Sequence, residues 1–197
     1  MNRIFIFVLL FSILCVSCKM EDEYILMQSV FIEDPLNPGL PVYSEWGYNT
    51  FGAYYDRTPI RSNDYILPSK IFVNQDTLNF MLQGEMKSGQ SILLKFSIKG
   101  FSPQNEYELV SLNNIIINLK NSANKVVFKI SNQTYNLQII EGELHFKKAQ
   151  KMFLDNELFK TILCGTFRFK TFINNEPVSI YNGRFDVSIG YENFFNY

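Results

Sequence analysis

The chain alternates with a period of two. Ile92, Leu94, Phe96 and Ile98 fall on one side of a run, with Ser91, Lys95, Ser97 and Lys99 on the other and Leu93 as the exception. Leu78, Phe80 and Leu82 alternate in the same way with Thr77, Asn79, Met81 and Gln83. Successive side chains of a strand point to opposite faces, so each run has a dry side and a wet side. The link Glu85-Met86-Lys87-Ser88-Gly89 carries a glycine where a hairpin loop needs positive φ, which predicts that these two runs pair.

The pattern recurs downstream. Ile115, Ile117 and Leu119 form one run, Val126, Phe128 and Ile130 another, and Tyr135, Leu137 and Ile139 a third. Leu144 and Phe146 make a shorter one. Leu163, Phe167 and Phe169 share a face with Gly165, opposite Arg168 and Lys170, and Phe185, Val187, Ile189 and Tyr191 form the last run. Ser102-Pro103-Gln104-Asn105, Asn121-Ser122-Ala123-Asn124, Ser131-Asn132-Gln133, Glu141-Gly142 and Asn174-Asn175-Glu176-Pro177 separate the runs with turn chemistry.

Many short strands, each with one wet face, predict an all-β, antiparallel fold: a β-sandwich or a partly open barrel. The 19 Phe and 11 Tyr residues agree, since aromatic side chains pack well on a pleated face. Only 106–112 and 148–159 read as helical pieces, and Asp155-Asn156 weakens the second. Residues 19–45 lack a clean period and carry Pro35, Pro38 and Pro41, which suits a tether followed by an irregular or edge segment.

The N-terminus has a different pattern. Arg3 precedes an apolar run from Ile4 to Val16, then Ser17 and Cys18. A basic start, a short apolar stretch and a small residue before the cut form a secretory signal peptide. The run is too short to span a bilayer, which takes about 20 apolar residues. With a cysteine after the cut, Cys15-Val16-Ser17-Cys18 resembles the lipobox of bacterial lipoproteins, except that Cys15 stands where leucine is usual. The resemblance implies that Cys18 is acylated and that its acyl chains hold the protein to a lipid bilayer. It also resembles an export signal of Bacteroidota lipoproteins, because Lys19-Met20-Glu21-Asp22-Glu23 places acidic residues just after the cysteine. That implies the outer membrane, at its cell-surface face or, alternatively, its periplasmic face. The predicted organisation is therefore a signal peptide at 1–17, the lipidated cysteine with an acidic tether and irregular lead-in at 18–45, and a single β-rich domain at 46–197.

Charge and cysteine usage narrow the chemistry. The chain has 18 basic and 19 acidic residues, and no basic patch that would suit nucleic acid. Of three cysteines, Cys15 leaves with the signal and Cys18 is acylated. Cys164 is left without a partner, in the apolar setting Ile162-Leu163-Cys164-Gly165-Thr166, and reads as a small packed residue. The single histidine, His145, falls on the polar side of its run. No nucleophile-elbow sequence, zinc ligand set or calcium loop accompanies these residues, so the sequence implies no metal and no cofactor. Asn132-Gln133-Thr134 is formally a glycosylation sequon, and Asp76-Thr77-Leu78 resembles a short O-glycosylation motif of exported Bacteroidota proteins.

The densest aromatic stretch supplies the candidate ligand-binding residues: Trp46, Tyr48, Tyr54 and Tyr55, with Asp56 and Arg57 beside them. Exposed together, the rings would stack on sugar rings while Asp56 and Arg57 bonded hydroxyls. The competing expectation is that the rings fill the core. Residues 191–197 are also aromatic and suit a final docked strand or an interaction tail. Glu141 and Glu143 lie in phase on one run and read as turn and surface charges; a glycosidase would need two carboxylates opposed across a cleft.

Gly142-Glu143-Leu144-His145-Phe146, the stretch Leu163-Cys164-Gly165-Thr166-Phe167-Arg168-Phe169-Lys170 and Asn182-Gly183-Arg184-Phe185-Asp186-Val187 together resemble a family of small, β-rich Bacteroidota lipoproteins whose domain has no assigned function. The resemblance implies an extracytoplasmic β-rich domain and supplies no catalytic residues. The expectation is a non-enzymatic surface binding or adhesion module, its ligand a glycan or an envelope protein. A glycan-active hydrolase and a structural subunit of an envelope assembly are the alternatives.

Overall fold

The computed structural model describes residues 29–64 and 66–197. The predicted signal peptide, Cys18 and the acidic run behind it lie outside the described residues. Twelve strands are found among the described residues: β1 (Thr50–Tyr55), β2 (Thr58–Arg61), β3 (Ser69–Asn74), β4 (Thr77–Met86), β5 (Ser91–Lys99), β6 (Ile115–Asn118), β7 (Lys125–Ile130), β8 (Gln133–Leu137), β9 (Ile139–Leu154), β10 (Glu157–Ile173), β11 (Glu176–Ile189) and β12 (Phe194–Asn196). They form one curled sheet shaped as a half-barrel, in the order β6-β9-β10-β11-β1-β2-β4-β5-β7-β8, with β3 pairing β4 and β12. All pairings are antiparallel except that of β12 with β3, which is parallel and departs from the all-antiparallel expectation.

The two arms of this order meet through the chain itself. Only Gln138 separates β8 from β9. On one side of it Leu137 pairs with Val126, and on the other Ile139 pairs with Thr171. The buried Thr171 hydroxyl donates to the Gln138 carbonyl at 2.9 Å. One long bent strand thereby serves both arms.

The alternation read from the sequence sets the core. β5 reads as buried at Ile92, Leu94, Phe96 and Ile98, and β4 at Leu78, Phe80 and Leu82. Phe80 touches Phe96, Phe146 and Phe185 at centroid separations of 6.4, 5.6 and 5.1 Å, and Phe96 meets Phe167 edge-on at 5.5 Å. Burying one such ring stabilises by roughly 1.5–3 kcal/mol, and favourable ring pairs add about 0.5–1.5 kcal/mol. Gly89 adopts φ 79° in the β4–β5 turn, where a side chain would be strained, so the predicted hairpin forms with the predicted glycine.

Three local expectations are corrected. Residues 148–159 are not helical: they form the far end of the β9–β10 hairpin, turning at Asp155 (φ 50°) and Asn156 (φ 66°). Cross-strand pairing overrides the helix-forming Lys, Ala and Gln residues there. Glu141-Gly142 is not a break, because β9 runs through it. A Cβ at Gly142 would lie 2.3 Å from the Phe169 Cβ, so glycine here permits close strand approach rather than a turn. Tyr191 is no part of the last dry face; it lies past β11 and is exposed. The other predicted helical piece, Glu106–Leu112, is a 3-10 helix capped by Asn105, whose side chain accepts the amides of Tyr107 and Glu108 while Leu109 and Leu112 are buried.

Residues 29–49 form an outer layer on β1, β10 and β11. The Asp34–Arg184 ion pair and the carbonyl of Pro41, 3.3 Å from Arg184 Nη1, hold one part of it. Gly52 leaves room for Pro41, whose ring a Cβ would strike at 2.5 Å.

The strand directions define two poles. β9 ends, β10 and β1 begin, and β11 ends at the pole of the Asp155-Asn156 turn. The turns at Asp56-Arg57 and Asn174-Asn175 lie at the opposite pole.

Candidate functional site

A surface groove of about 810 Å³ crosses the outer face of β6, β9, β10 and β11, on the side of the Asn174-Asn175 turn. Alternation places Ile116 and Asn118 of β6, Glu141 and Glu143 of β9, Arg168 and Lys170 of β10, and Ser179 and Tyr181 of β11 along it, with Lys120 at one end. A bulge shapes it. Phe167 pairs with Gly183 and Phe169 with Ile180, so Tyr181 and Asn182 together oppose Arg168, and Asn182 takes φ 51°. The extra residue increases local twist and re-aims the neighbouring side chains. Gly142 contributes to the lining between Glu141 and Glu143.

Four of the charged side chains along the groove are matched across strands. Lys170 Nζ lies 2.8 Å from Glu141 Oε1, and Arg168 Nε lies 3.1 Å from Glu143 Oε1. The hydrogen bond from Lys170, followed by its charge, holds the Glu141 carboxyl below its ordinary value. Both pairs are exposed, so each adds little to stability. They set donors and acceptors side by side along the groove, and Lys120 at its end adds one further cation. A glutamate held ionised is poorly suited to act as a general acid.

One aromatic wall completes the groove. Tyr181 packs against Tyr54, centroids 5.2 Å apart and planes tilted by 34°. The Tyr54 hydroxyl donates to the Pro38 carbonyl at 2.8 Å, and burial pushes its phenol pKa up. Ser179 exchanges two bonds with Asp56: its amide donates to Asp56 Oδ1 at 2.9 Å, and its carbonyl accepts the Asp56 amide at 2.8 Å.

The structure separates the six sequence candidates. Tyr54 and Asp56 support the groove wall from behind. Tyr55, the next residue of the strand, turns inward and lies 5.7 Å from Phe128. Arg57 is exposed at the turn. Trp46 and half-buried Tyr48 lie toward the other pole, Trp46 at 74 % exposure. No single platform gathers Trp46, Tyr48, Tyr54 and Tyr55. Arg168, Lys170 and Asn118 fall on wet faces by alternation alone; nothing in the sequence singled out Ser179 or Tyr181.

Near Trp46 a second polar centre serves the fold. Asp186 of β11 is buried, and its carboxylate accepts the amides of Gly47 at 2.7 Å and of Trp46 and Tyr48 at 3.2 Å. The Ser44 hydroxyl also donates to it, and Cys164 Sγ lies 3.2 Å away. The carboxylate is fully occupied and fastens the outer layer to the sheet. Cys164 is fully buried; burial, then the charge of Asp186, pushes its thiol pKa up, away from the reactive range. His145 Nε2 approaches Asn114 Oδ1 at 3.4 Å.

Among the described residues, no group of three His, Cys, Asp or Glu side chains is placed to hold a metal ion, and no helix is long and apolar enough to cross a membrane. Compared with known proteins, the chain matches no family model, no curated protein and no solved structure.

Proposed function

We propose that the chain is a non-enzymatic binding module, held to the outer membrane by acyl chains on Cys18, that takes a neutral oligosaccharide in the groove between Glu141 and Tyr181. The observation that carries the reading is the groove's make-up: cross-strand Lys170–Glu141 and Arg168–Glu143 pairs beside an exposed tyrosine. Already-paired polar groups bond hydroxyls without stranding their partners, and an aromatic ring supplies a face for a sugar's C–H surface. The lipobox-like Cys15-Val16-Ser17-Cys18, the acidic run behind it and the resemblance to small Bacteroidota lipoproteins support the location, and the cell-surface face suits a module that meets extracellular glycans.

The test is an array of neutral and acidic oligosaccharides probed with the mature protein. The reading predicts saturable binding to a subset of neutral glycans and no change in the glycans themselves. Cleavage of any bound oligosaccharide would replace it with the glycan-active hydrolase.

A further inference from the structure

We propose that the pole carrying the Asp155-Asn156 turn faces the bilayer and touches it through Phe153, Leu154, Trp46 and Tyr191. The inference rests on the Cys18 anchor of the preceding reading and adds an orientation and a contact surface.

Four large apolar or aromatic side chains are exposed at this pole: Phe153 at 61 %, Leu154 at 54 %, Trp46 at 74 % and Tyr191 at 83 %. Phe153 and Leu154 are consecutive in β9, so they project from opposite faces of the hairpin ribbon. Folding one face of the ribbon onto the protein would cover only one of them. The hairpin end therefore presents apolar surface on both sides. The other two are tied to the same hairpin. Gln150 Nε2 donates to the carbonyl of Glu45, the neighbour of Trp46, at 3.1 Å. Lys160 of β10 pairs with Glu192, the neighbour of Tyr191, at 2.5 Å.

The choice of occupant follows from where the chain enters the fold. The Val30 amide donates to the Tyr48 carbonyl at 2.8 Å, and Asn49 Oδ1 accepts the Ser188 amide at 2.9 Å near the end of β11. The outer layer thus begins at this pole. Cys18 lies eleven positions before Ser29, and a chain reaches at most about 3.6 Å per residue, so the anchor point stays within about 40 Å of the pole. Acyl chains on Cys18 would hold this end of the molecule beside the bilayer. Tryptophan and tyrosine favour the membrane interface, and Lys151 beside Phe153 suits headgroup phosphates. Asp155 and Glu157 at the turn favour a ribbon lying along the interface over one that pierces the hydrocarbon. The Glu141–Tyr181 groove, toward the opposite pole, then faces away from the membrane.

Trp46 is the sole tryptophan and reports the contact directly. The acylated full-length mature chain is reconstituted into phosphatidylethanolamine–phosphatidylglycerol vesicles with brominated or ordinary acyl chains. The proposal predicts that brominated lipid removes more than half of the Trp46 emission. It further predicts that the double variant Phe153→Ser, Leu154→Ser stays on the vesicles but loses most of that quenching, with an unchanged far-ultraviolet circular dichroism spectrum. Equal emission from both vesicle types overturns it. So does Trp46 shielded only when envelope proteins are added, which assigns the surface to a protein partner. Incorporation of a palmitate analogue at Cys18, checked against Cys18→Ala, separates the two readings. Label without quenching sinks the orientation alone, and absence of label sinks the anchor on which it rests.

Discussion

The rings of Tyr54 and Tyr181 lie 5.2 Å apart on the outer face of β1 and β11, and this pair decides what the aromatic stretch at 46–57 can do. Tyr54 spends its surface holding Tyr181 in place and its hydroxyl on Pro38. Tyr181 keeps the ring face that borders the groove. Replacing Tyr181 by alanine is expected to weaken oligosaccharide binding at least tenfold, while the loss of one half-exposed ring pair lowers stability by only about 1 kcal/mol. Isothermal titration and urea unfolding of the same samples separate the two effects.

Asp186 gives the opposite profile. Its carboxylate is the acceptor for three consecutive backbone amides of the outer layer and for Ser44. Asp186→Ala orphans those donors, and each buried donor left unpaired costs about 1–3 kcal/mol. A loss of about 3 kcal/mol or more in urea unfolding is expected. A variant within about 0.5 kcal/mol of wild type would show that water replaces the carboxylate and that the clamp is dispensable.

Cys164 is expected to be silent toward a thiol reagent such as Ellman's in the folded protein and to react fully in denaturant. Its burial and the neighbouring Asp186 both disfavour the thiolate. Fast labelling under native conditions would mean that β10 is accessible from outside, contrary to the outer layer described above.

Acid should loosen the outer layer. The side chain of Asn37, the amide of Leu36 and the Arg184 guanidinium hold the Asp34 carboxyl below its ordinary value. A carboxyl depressed by folding contributes stability that is complete above its unfolded pKa, about 4, and is lost as pH falls through the lower folded value. The Glu45 carboxyl, bonded by Lys148, and Glu141, bonded by Lys170, shift in the same direction. The urea midpoint is therefore expected to fall between about pH 5 and pH 3, and Asp34→Asn should flatten part of that slope. An Asp34→Asn slope identical to wild type would remove the Asp34–Arg184 pair from the account.

Phe80 sits where Phe96, Phe146 and Phe185 meet, in a fully enclosed position. Phe80→Ala is expected to cost about 3–5 kcal/mol through lost transfer energy and a residual cavity. Thermal unfolding of the purified variant checks the value, and a cost under 1 kcal/mol would mean the core collapses around the gap.

The inward face of the barrel was legible because alternation is a local property. Ile92 through Ile98 and Leu78 through Leu82 announce their buried side without knowledge of their partners. The β9–β10 turn was half-legible: Asp155-Asn156 is turn chemistry, yet Lys147 through Met152 carry helix propensity, and only pairing with β10 settles the matter. The outer layer was illegible as packing, because its fastenings join residues about 140 positions apart, such as Gly47 with Asp186. The groove was missed for the same reason. Glu141 and Glu143 read as surface charges until β10 places Lys170 and Arg168 opposite them, and the Tyr181-Asn182 bulge that aims Tyr181 leaves no mark in periodicity. Sequence placed Tyr54 and Asp56 among the candidates for their own chemistry; in the fold they act through Tyr181 and Ser179.

Whether the Glu141–Tyr181 groove receives the ligand is open to direct measurement. Backbone chemical-shift mapping of the mature protein, titrated with the neutral oligosaccharide that gives the strongest array signal, addresses it most directly. Saturable shifts concentrated at Asn118, Gly142, Lys170, Ser179 and Tyr181, abolished by Tyr181→Ala, are expected. Shifts confined to Trp46, Tyr48 and the outer layer, with the groove unmoved, would contradict the proposed site.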